Sequence, residues 1–101
     1  MAAEKVLVKI ESDLRDLMPE YLQRREAEIT TLKEAVNHCD FDTLNMIGHK
    51  LSGHAGSYGL HGLGKLGAKL ESFAKQKNLN SAKEVVHDIT QYLDRLMIEY
   101  E

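Results

Sequence analysis

His49 is the residue in this sequence whose type and position are best suited to chemistry. It lies in an amphipathic segment, residues 40 to 59, whose apolar face consists of Leu44, Ile47, Leu51, Ala55 and Tyr58. His49 falls on the opposite side of the helical wheel and is predicted to face solvent. A neutral imidazole is a nucleophile near pH 7, because its unperturbed pKa is about 6.5. The sequence therefore predicts an exposed nucleophile that needs no neighbouring base.

The residues that surround His49 on its helix face have small side chains. Its neighbours one and two turns away are small or short: Asn45, Ser52, Gly53 and Gly56. A glycine inside a helix costs about 1 kcal/mol relative to alanine, so the two glycines need a reason to be there. Close approach by another protein supplies that reason. We therefore predict that Asn45, Gly53 and Gly56 contact a docking partner.

The order of residues around and after His49 matches a known pattern. Residues 49 to 59 read His-Lys-Leu-Ser-Gly-His-Ala-Gly-Ser-Tyr-Gly, and they are followed by Leu63, Leu66, Gly67, Leu70 and Glu71. This stretch resembles the signature of the histidine-containing phosphotransfer (Hpt) domain family of bacterial two-component phosphorelays. Residues 17 to 22 with Arg24-Arg25, and Asp40-Phe41 ahead of the histidine, resemble one bacterial branch of that family. The resemblance covers most of the chain.

The resemblance implies a function for His49. It would be the phosphorylated residue, accepting a phosphoryl group from the phosphoaspartate of a receiver domain and passing it to another receiver. Its partners would be response-regulator receiver domains and a sensor or hybrid histidine kinase. The receiver would bring Mg²⁺ and the chain would have no cofactor of its own. On this interpretation the protein is a phosphocarrier module and not an enzyme.

One position departs from the family pattern. The family often has lysine three residues after the histidine, where the cation offsets phosphate charge, and this chain has Ser52 there. Lys50 is adjacent in sequence but about 100° away around the helix, and Lys69, or Lys65, from the third helix is another candidate. These residues are predicted to support the phosphate. The departure also keeps an alternative open, a helical adaptor that binds receivers or other signalling proteins without being phosphorylated.

Other chemistry-bearing residues do not form a recognisable site. His49 and His54 are five residues apart, which separates them by about 140° on a helix, and no facing pair of metal ligands exists. We therefore predict no metal site. The glycines between 53 and 67 do not match a phosphate-binding loop after a strand. Arg25 falls within the apolar stripe of its helix, and the sequence does not explain why.

Four amphipathic segments have to position these residues. The periodicity predicts helix over residues 12 to 37, with Pro19 either kinking one long helix or opening a second one. A second helix follows from Asp40 to about Gly59, a third carries Leu63 to Phe73, and a fourth runs from a capping box at Ser81 through Tyr100. We predict an all-α, up-and-down antiparallel four-helix bundle over residues 12–101. Residues 1–11 are expected to form an N-terminal arm, either extended or as one extra helical turn.

Composition limits the remaining possibilities. A chain of 101 residues with one cysteine has no internal disulfide, and we expect a single cytoplasmic domain. The net charge of −3 gives no excess of positive charge for binding nucleic acid. The apolar stretch near the N-terminus is too short and interrupted for a signal sequence or a membrane span, so no membrane partner is expected. We expect a monomer.

Overall fold

The computed structural model describes residues 4–101, which form four α-helices and two short strands. In chain order these elements are β1 (Val6–Ile10), α1 (Met18–Asn37), α2 (Phe41–His54), α3 (His61–Lys75), α4 (Leu79–Arg95) and β2 (Leu96–Tyr100). Two 3₁₀ turns, Ser12–Leu14 and Ala55–Tyr58, precede α1 and follow α2. The predicted four helices are confirmed. No helix of residues 4–101 has the length and apolarity needed to cross a membrane.

The all-α prediction is wrong at both ends of the chain. β1 and β2 pair in parallel, with Val6 beside Leu96 and Ile10 beside Tyr100. Residues 96–100, predicted to continue the fourth helix, alternate between half-buried and exposed positions, as a strand does. Their sequence, Leu-Met-Ile-Glu-Tyr, fits a period of two as well as a helical period, and pairing with β1 selects the strand.

The predicted N-terminal arm is part of the packed structure. β1 buries Ile10 in the hydrophobic core, and Val8 packs against that core. The extended alternative is therefore the correct one for residues 6–10. Residues 1–3 of the predicted arm lie outside the described part of the chain.

The ends of the helices follow the chemistry of their first residues. Pro19 sits in the first turn of α1, so it opens this helix and does not kink a longer one. The Asp40 side chain accepts a hydrogen bond from the backbone N–H of Thr43, which confirms it as the N-cap of α2. The fourth helix begins earlier than predicted, because Asn78 and not Ser81 is its N-cap.

Helices α2 and α3 form the closest pair in the fold. Gly48 of α2 faces Gly67 and Glu71 of α3, whereas Leu51, further along α2, faces Gly64, nearer the start of α3. These contacts show that the two helices run in opposite directions. The core between the elements includes Met18, Leu32, Leu44, Leu51, Leu60, Leu63, Leu70 and Ile89. The up-and-down order of the whole bundle stays a prediction.

Candidate functional site

His49 lies on the exposed face of α2, as the helical wheel predicts. Its side chain is 76 % exposed, and its Nδ1 lies 2.8 Å from Oε2 of Glu71, which is only 20 % exposed. Glu71 belongs to α3, so the contact joins two helices. The ring is therefore held at one nitrogen, while the rest of it is open to a partner.

The contact with Glu71 fixes the tautomer of the imidazole. A carboxylate can only accept hydrogen bonds, so Nδ1 of His49 must carry the hydrogen that lies between the two groups. The lone pair of the neutral ring is then on Nε2, the nitrogen that does not contact Glu71. This arrangement presents a nucleophilic nitrogen with a set orientation, which a freely rotating surface histidine does not.

Two glycines bring Glu71 within reach of His49. A Cβ on Gly48 would lie 2.7 Å from the backbone nitrogen of Glu71 and from the carbonyl oxygen of Gly67. A Cβ on Gly67 would lie 2.6 Å from Cβ of Leu51. Such distances are shorter than real Cβ contacts, so any side chain at either position would push α2 and α3 apart. The distance from His49 to Glu71 depends on this close packing.

The predicted phosphate-supporting residues are spread around the site. Ser52 is exposed, one turn after His49. The charge of Lys50 acts on Glu28 and His54, on the side of α2 that faces α1. Lys69 lies two residues before Glu71, which places it about 160° away around α3. The lysine that pairs with Glu71 beside His49 is neither of these two, and their predicted support of a phosphate stays a prediction.

Lys75 is a cation close to this site to which the sequence analysis gave no role. Its Nζ lies 3.6 Å from Oε2 of Glu71, the same oxygen that contacts His49. Lys75 is one turn after Glu71 on α3, and its side chain is largely exposed. Nζ of Lys75 and Nδ1 of His49 therefore share one carboxylate oxygen, and the stem of the lysine is flexible.

The predicted docking residues lie in two different local structures. Gly53 is in α2 with nothing within 4 Å of an added Cβ, so this part of the surface is open. Gly56 is in the 3₁₀ turn, not in mid-helix, and an added Cβ would lie 3.4 Å from Nδ1 of His61. Asn45 is partly exposed, and the exposed Met46 beside it is a further contact candidate that the sequence analysis did not name.

Glu71 is the most important residue to which the sequence analysis gave no role. It was part of the matching signature, 22 positions after His49. Only the packing of α3 on α2 shows that the two side chains meet. Glu71 itself, the acidic residue at the end of the matching signature, is the signal that could have been used.

Arg25, unexplained in the sequence, is the centre of a polar cluster between α1 and α2. Its side chain is 11 % exposed, its Nε lies 2.9 Å from Oε1 of Glu28 as an ion pair, and its guanidinium lies over the ring of Tyr21. Its Nη1 lies 3.0 Å from Nε2 of His54, whose Nδ1 lies 2.9 Å from the hydroxyl of Tyr21. Arg25 thus lies in the apolar stripe of α1 because its side chain contacts His54 of α2.

Burial and charge perturb the pKa values of this cluster. Burial, with the nearby charges of Arg25 and Lys50, holds the pKa of His54 below its usual value. The neutral form is also the one that the geometry requires, since Nε2 accepts a hydrogen bond from Arg25 while Nδ1–H donates to Tyr21. Burial raises the pKa of Glu28, and the neighbouring Arg25 and Lys50 counteract part of this effect.

Comparison with known proteins identifies one similarity. A family model described as Hpt domain matches residues 10–98. The match begins at the end of β1 and ends within β2, so it includes all four helices and both His49 and Glu71. No curated protein and no solved structure matches the chain significantly. Within residues 4–101, no three His, Cys, Asp or Glu side chains come together as a group that could hold a metal ion.

Proposed function

The chain belongs to the Hpt domain family, and from this premise we propose that it relays phosphoryl groups between receiver domains through His49. The observation that carries the proposal is the contact between His49 Nδ1 and Glu71, which leaves the lone pair of the neutral ring on Nε2. Among the five histidines of the sequence, His49 combines this fixed tautomer with an open surface on its own helix. The four helices are proposed to follow one another up and down, so that α2 and α3 present the site together.

In the first transfer, Nε2 of His49 attacks the phosphorus of the receiver's aspartyl phosphate. The bond between phosphorus and the aspartate oxygen breaks, and the aspartate leaves as a carboxylate. Because Nδ1 keeps its hydrogen, the phosphorylated ring carries a positive charge, which the Glu71 carboxylate stabilises through the existing hydrogen bond. Glu71 thus sets the tautomer before transfer and offsets the ring charge after it.

The second transfer reverses these changes. An aspartate oxygen of another receiver attacks the phosphorus, the bond to Nε2 breaks, and the ring leaves as neutral imidazole with its hydrogen still on Nδ1. No proton has to move in either direction. Phosphoryl transfer depends mainly on alignment and charge stabilisation. The receiver brings the aspartate and Mg²⁺, so this chain has to supply only the oriented nucleophile, Glu71 and a nearby cation.

Phosphate labelling tests the proposal. Phosphorylated receivers of the source organism should transfer label to the wild-type protein, and His49→Gln should abolish the label while helical content is unchanged. The label should be acid-labile and alkali-stable, as phosphohistidine is. Label that persists in His49→Gln would place the acceptor elsewhere. Receiver binding without any labelling would favour the adaptor alternative.

The role of Glu71 has its own matched pair of variants. Glu71→Gln keeps a hydrogen-bond acceptor but removes the charge, whereas Glu71→Ala removes both. Charge attraction between the cationic phosphorylated ring and Glu71 exists only after transfer and is worth about 1 kcal/mol at an exposed site, so Glu71→Gln should lower the equilibrium level of phosphorylated His49 about fivefold. Glu71→Ala should in addition slow the transfer itself, because the ring is no longer oriented. Equal behaviour of the two variants would contradict the proposed orienting role.

A further inference from the structure

The two strands carry an apolar pair on the side that points away from the core. Along β1 and β2, less exposed residues alternate with exposed ones. On the exposed side, Leu7 lies beside Met97 in the sheet register. Two residues further along, Lys9 lies beside Glu99. Leu7 is 57 % exposed and Met97 is 47 % exposed. We call the surface formed by these four residues the outer sheet face.

An open face is unusual for a parallel sheet. Parallel strands in folded proteins are normally covered on both sides, whereas antiparallel sheets often have one side in water. Here the inner side is covered, because Val8 and Ile10 pack into the core. No element formed by residues 4–101 covers Leu7 or Met97 on the outer side. A two-stranded sheet is also only marginally stable by itself, so a second layer over the outer sheet face would stabilise it.

The outer sheet face carries one positive and one negative charge at the same level of the sheet. These charges belong to Lys9 and Glu99, which are both exposed. Neither of them forms an ion pair with another residue of the described part of the chain. The face thus has no net charge, and its charged pair lies about 7 Å along the strands from its apolar pair.

A two-fold axis parallel to the strands makes this face complementary to itself. An axis midway between two stacked sheets places β1 of one copy over β2 of the other, with the strands in the same direction. Because of the register within the sheet, Leu7 then faces Met97 of the second copy. In the same way, Lys9 faces Glu99 of the second copy. Each contact occurs twice, whereas an axis across the strands would place Leu7 over Lys9.

From these observations we infer that two copies of this chain associate through their outer sheet faces, in place of the monomer expected from the sequence. The face measures about 17 by 10 Å, which is much less than the roughly 800 Å² per partner of a stable interface. The dimer is therefore weak and forms at high protein concentration, with a Kd on the order of 100 μM.

The position of the sheet leaves His49 open in the dimer. The sheet lies beside Gly59, where an added Cβ would be 3.2 Å from Cγ1 of Ile10. His49 is ten residues before Gly59, about 15 Å along a helix axis. Each copy therefore keeps its own site on α2 and α3. The inference goes beyond phosphotransfer and does not depend on it.

Charge reversal with mixing tests the dimer and its two-fold axis. Sedimentation equilibrium would be measured from about 10 μM to about 1 mM protein, which brackets the expected Kd, at about 0.05 M ionic strength, where screening is weak. Lys9→Glu makes two glutamates face each other across the interface, and Glu99→Lys does the same with two lysines. Each variant should dimerise at least tenfold more weakly than the wild type. An equimolar mixture should regain wild-type affinity, because the new glutamate then faces the new lysine and the unchanged Glu99 faces the unchanged Lys9.

The mixture separates contacts between chains from effects within one chain. Each variant also has like charges side by side in its own sheet, which lowers stability, and mixing does not relieve this. Lys83→Glu and Glu84→Lys are the matched controls, since they make the same changes in net charge at exposed positions of α4. They should leave Kd unchanged, alone and mixed. Met97→Gln removes apolar contact without adding charge, and it should weaken the dimer about threefold to tenfold.

The outcomes decide the inference. Weakening in both strand variants, recovery in their mixture and unchanged controls support it. A wild-type protein that stays monomeric at about 1 mM overturns it. A dimer of equal strength in all variants shows that the copies meet elsewhere, and weakening without recovery in the mixture contradicts the two-fold arrangement. Phosphate labelling of His49 should be the same in all these variants, so a failure of phosphotransfer is a separate result.

Discussion

The contact between α2 and α3 at Gly67 predicts a steep effect of a single methyl group. In Gly67→Ala the new Cβ would lie 2.6 Å from Cβ of Leu51 and 2.8 Å from the carbonyl oxygen of Gly48, against at least 3.4 Å for ordinary contact. The helices would have to separate by about 0.8 Å, because two of the three nearest atoms belong to the backbone and cannot rotate away.

The magnitude follows from two opposing effects. Overpacking of a close contact costs about 1–3 kcal/mol, and replacing a helical glycine by alanine returns about 0.5–1 kcal/mol. We expect Gly67→Ala to lower the free energy of unfolding by about 1–2 kcal/mol. In a domain of this size, each kcal/mol lost lowers Tm by about 4–8 °C. Gly53→Ala is the matched control, since its Cβ meets nothing, and it should raise stability by about 0.5–1 kcal/mol.

The separation of α2 and α3 in Gly67→Ala should also slow phosphotransfer. A separation of 0.8 Å would stretch the 2.8 Å contact between His49 and Glu71 beyond hydrogen-bond range unless the Glu71 side chain follows. Loss of about 1 kcal/mol of this interaction predicts a fall of about fivefold in phosphotransfer by Gly67→Ala. Urea unfolding and single-turnover transfer would be measured on both variants. A Gly67→Ala protein as stable as Gly53→Ala would refute the close approach of the helices.

Three further predictions concern charge. Ser52→Lys should lengthen the lifetime of the phosphorylated protein or speed transfer, because Coulomb attraction between a cation and a phosphate about 4 Å apart is worth about 1–4 kcal/mol before screening. An unchanged lifetime and rate would mean that Lys75 already fills this role. Lys75→Gln should shorten the lifetime, measured as loss of ³²P label, and Lys69→Gln should not. The pKa of His54 is lowered in the folded protein, so just below pH 6.5 the unfolded chain binds more protons than the folded one. The contribution of His54 to stability is therefore present above pH 6.5 and is lost as the pH falls below that value. Thermal melts from high to low pH should show this loss, and His54→Gln should reduce it.

The sequence alone predicts the parts of this protein that depend on local periodicity. The helix of His49, its cap at Asp40 and the solvent-facing position of the histidine all follow from spacing within one segment, and the structure agrees. The strand at residues 96–100 could not be predicted in this way, because its conformation depends on β1 at the other end of the chain. Glu71 is a similar case, since its meeting with His49 requires the packing of two helices through Gly48 and Gly67.

On the proposed function, the shared oxygen of Glu71 offers a way for a chain with Ser52 to support a phosphoryl group on His49. Before transfer, Oε2 of Glu71 contacts both Nδ1 of His49 and Nζ of Lys75. After the proposed transfer, the ring itself would become a cation and offset the charge of Glu71, while the phosphoryl oxygens would bring new negative charge on the other side of the ring. Lys75, which is exposed and on a flexible stem, would then be attracted more strongly to the phosphate than to Glu71. We therefore propose that the positive charge that the family often carries on the histidine helix comes, in this chain, from Lys75 of α3.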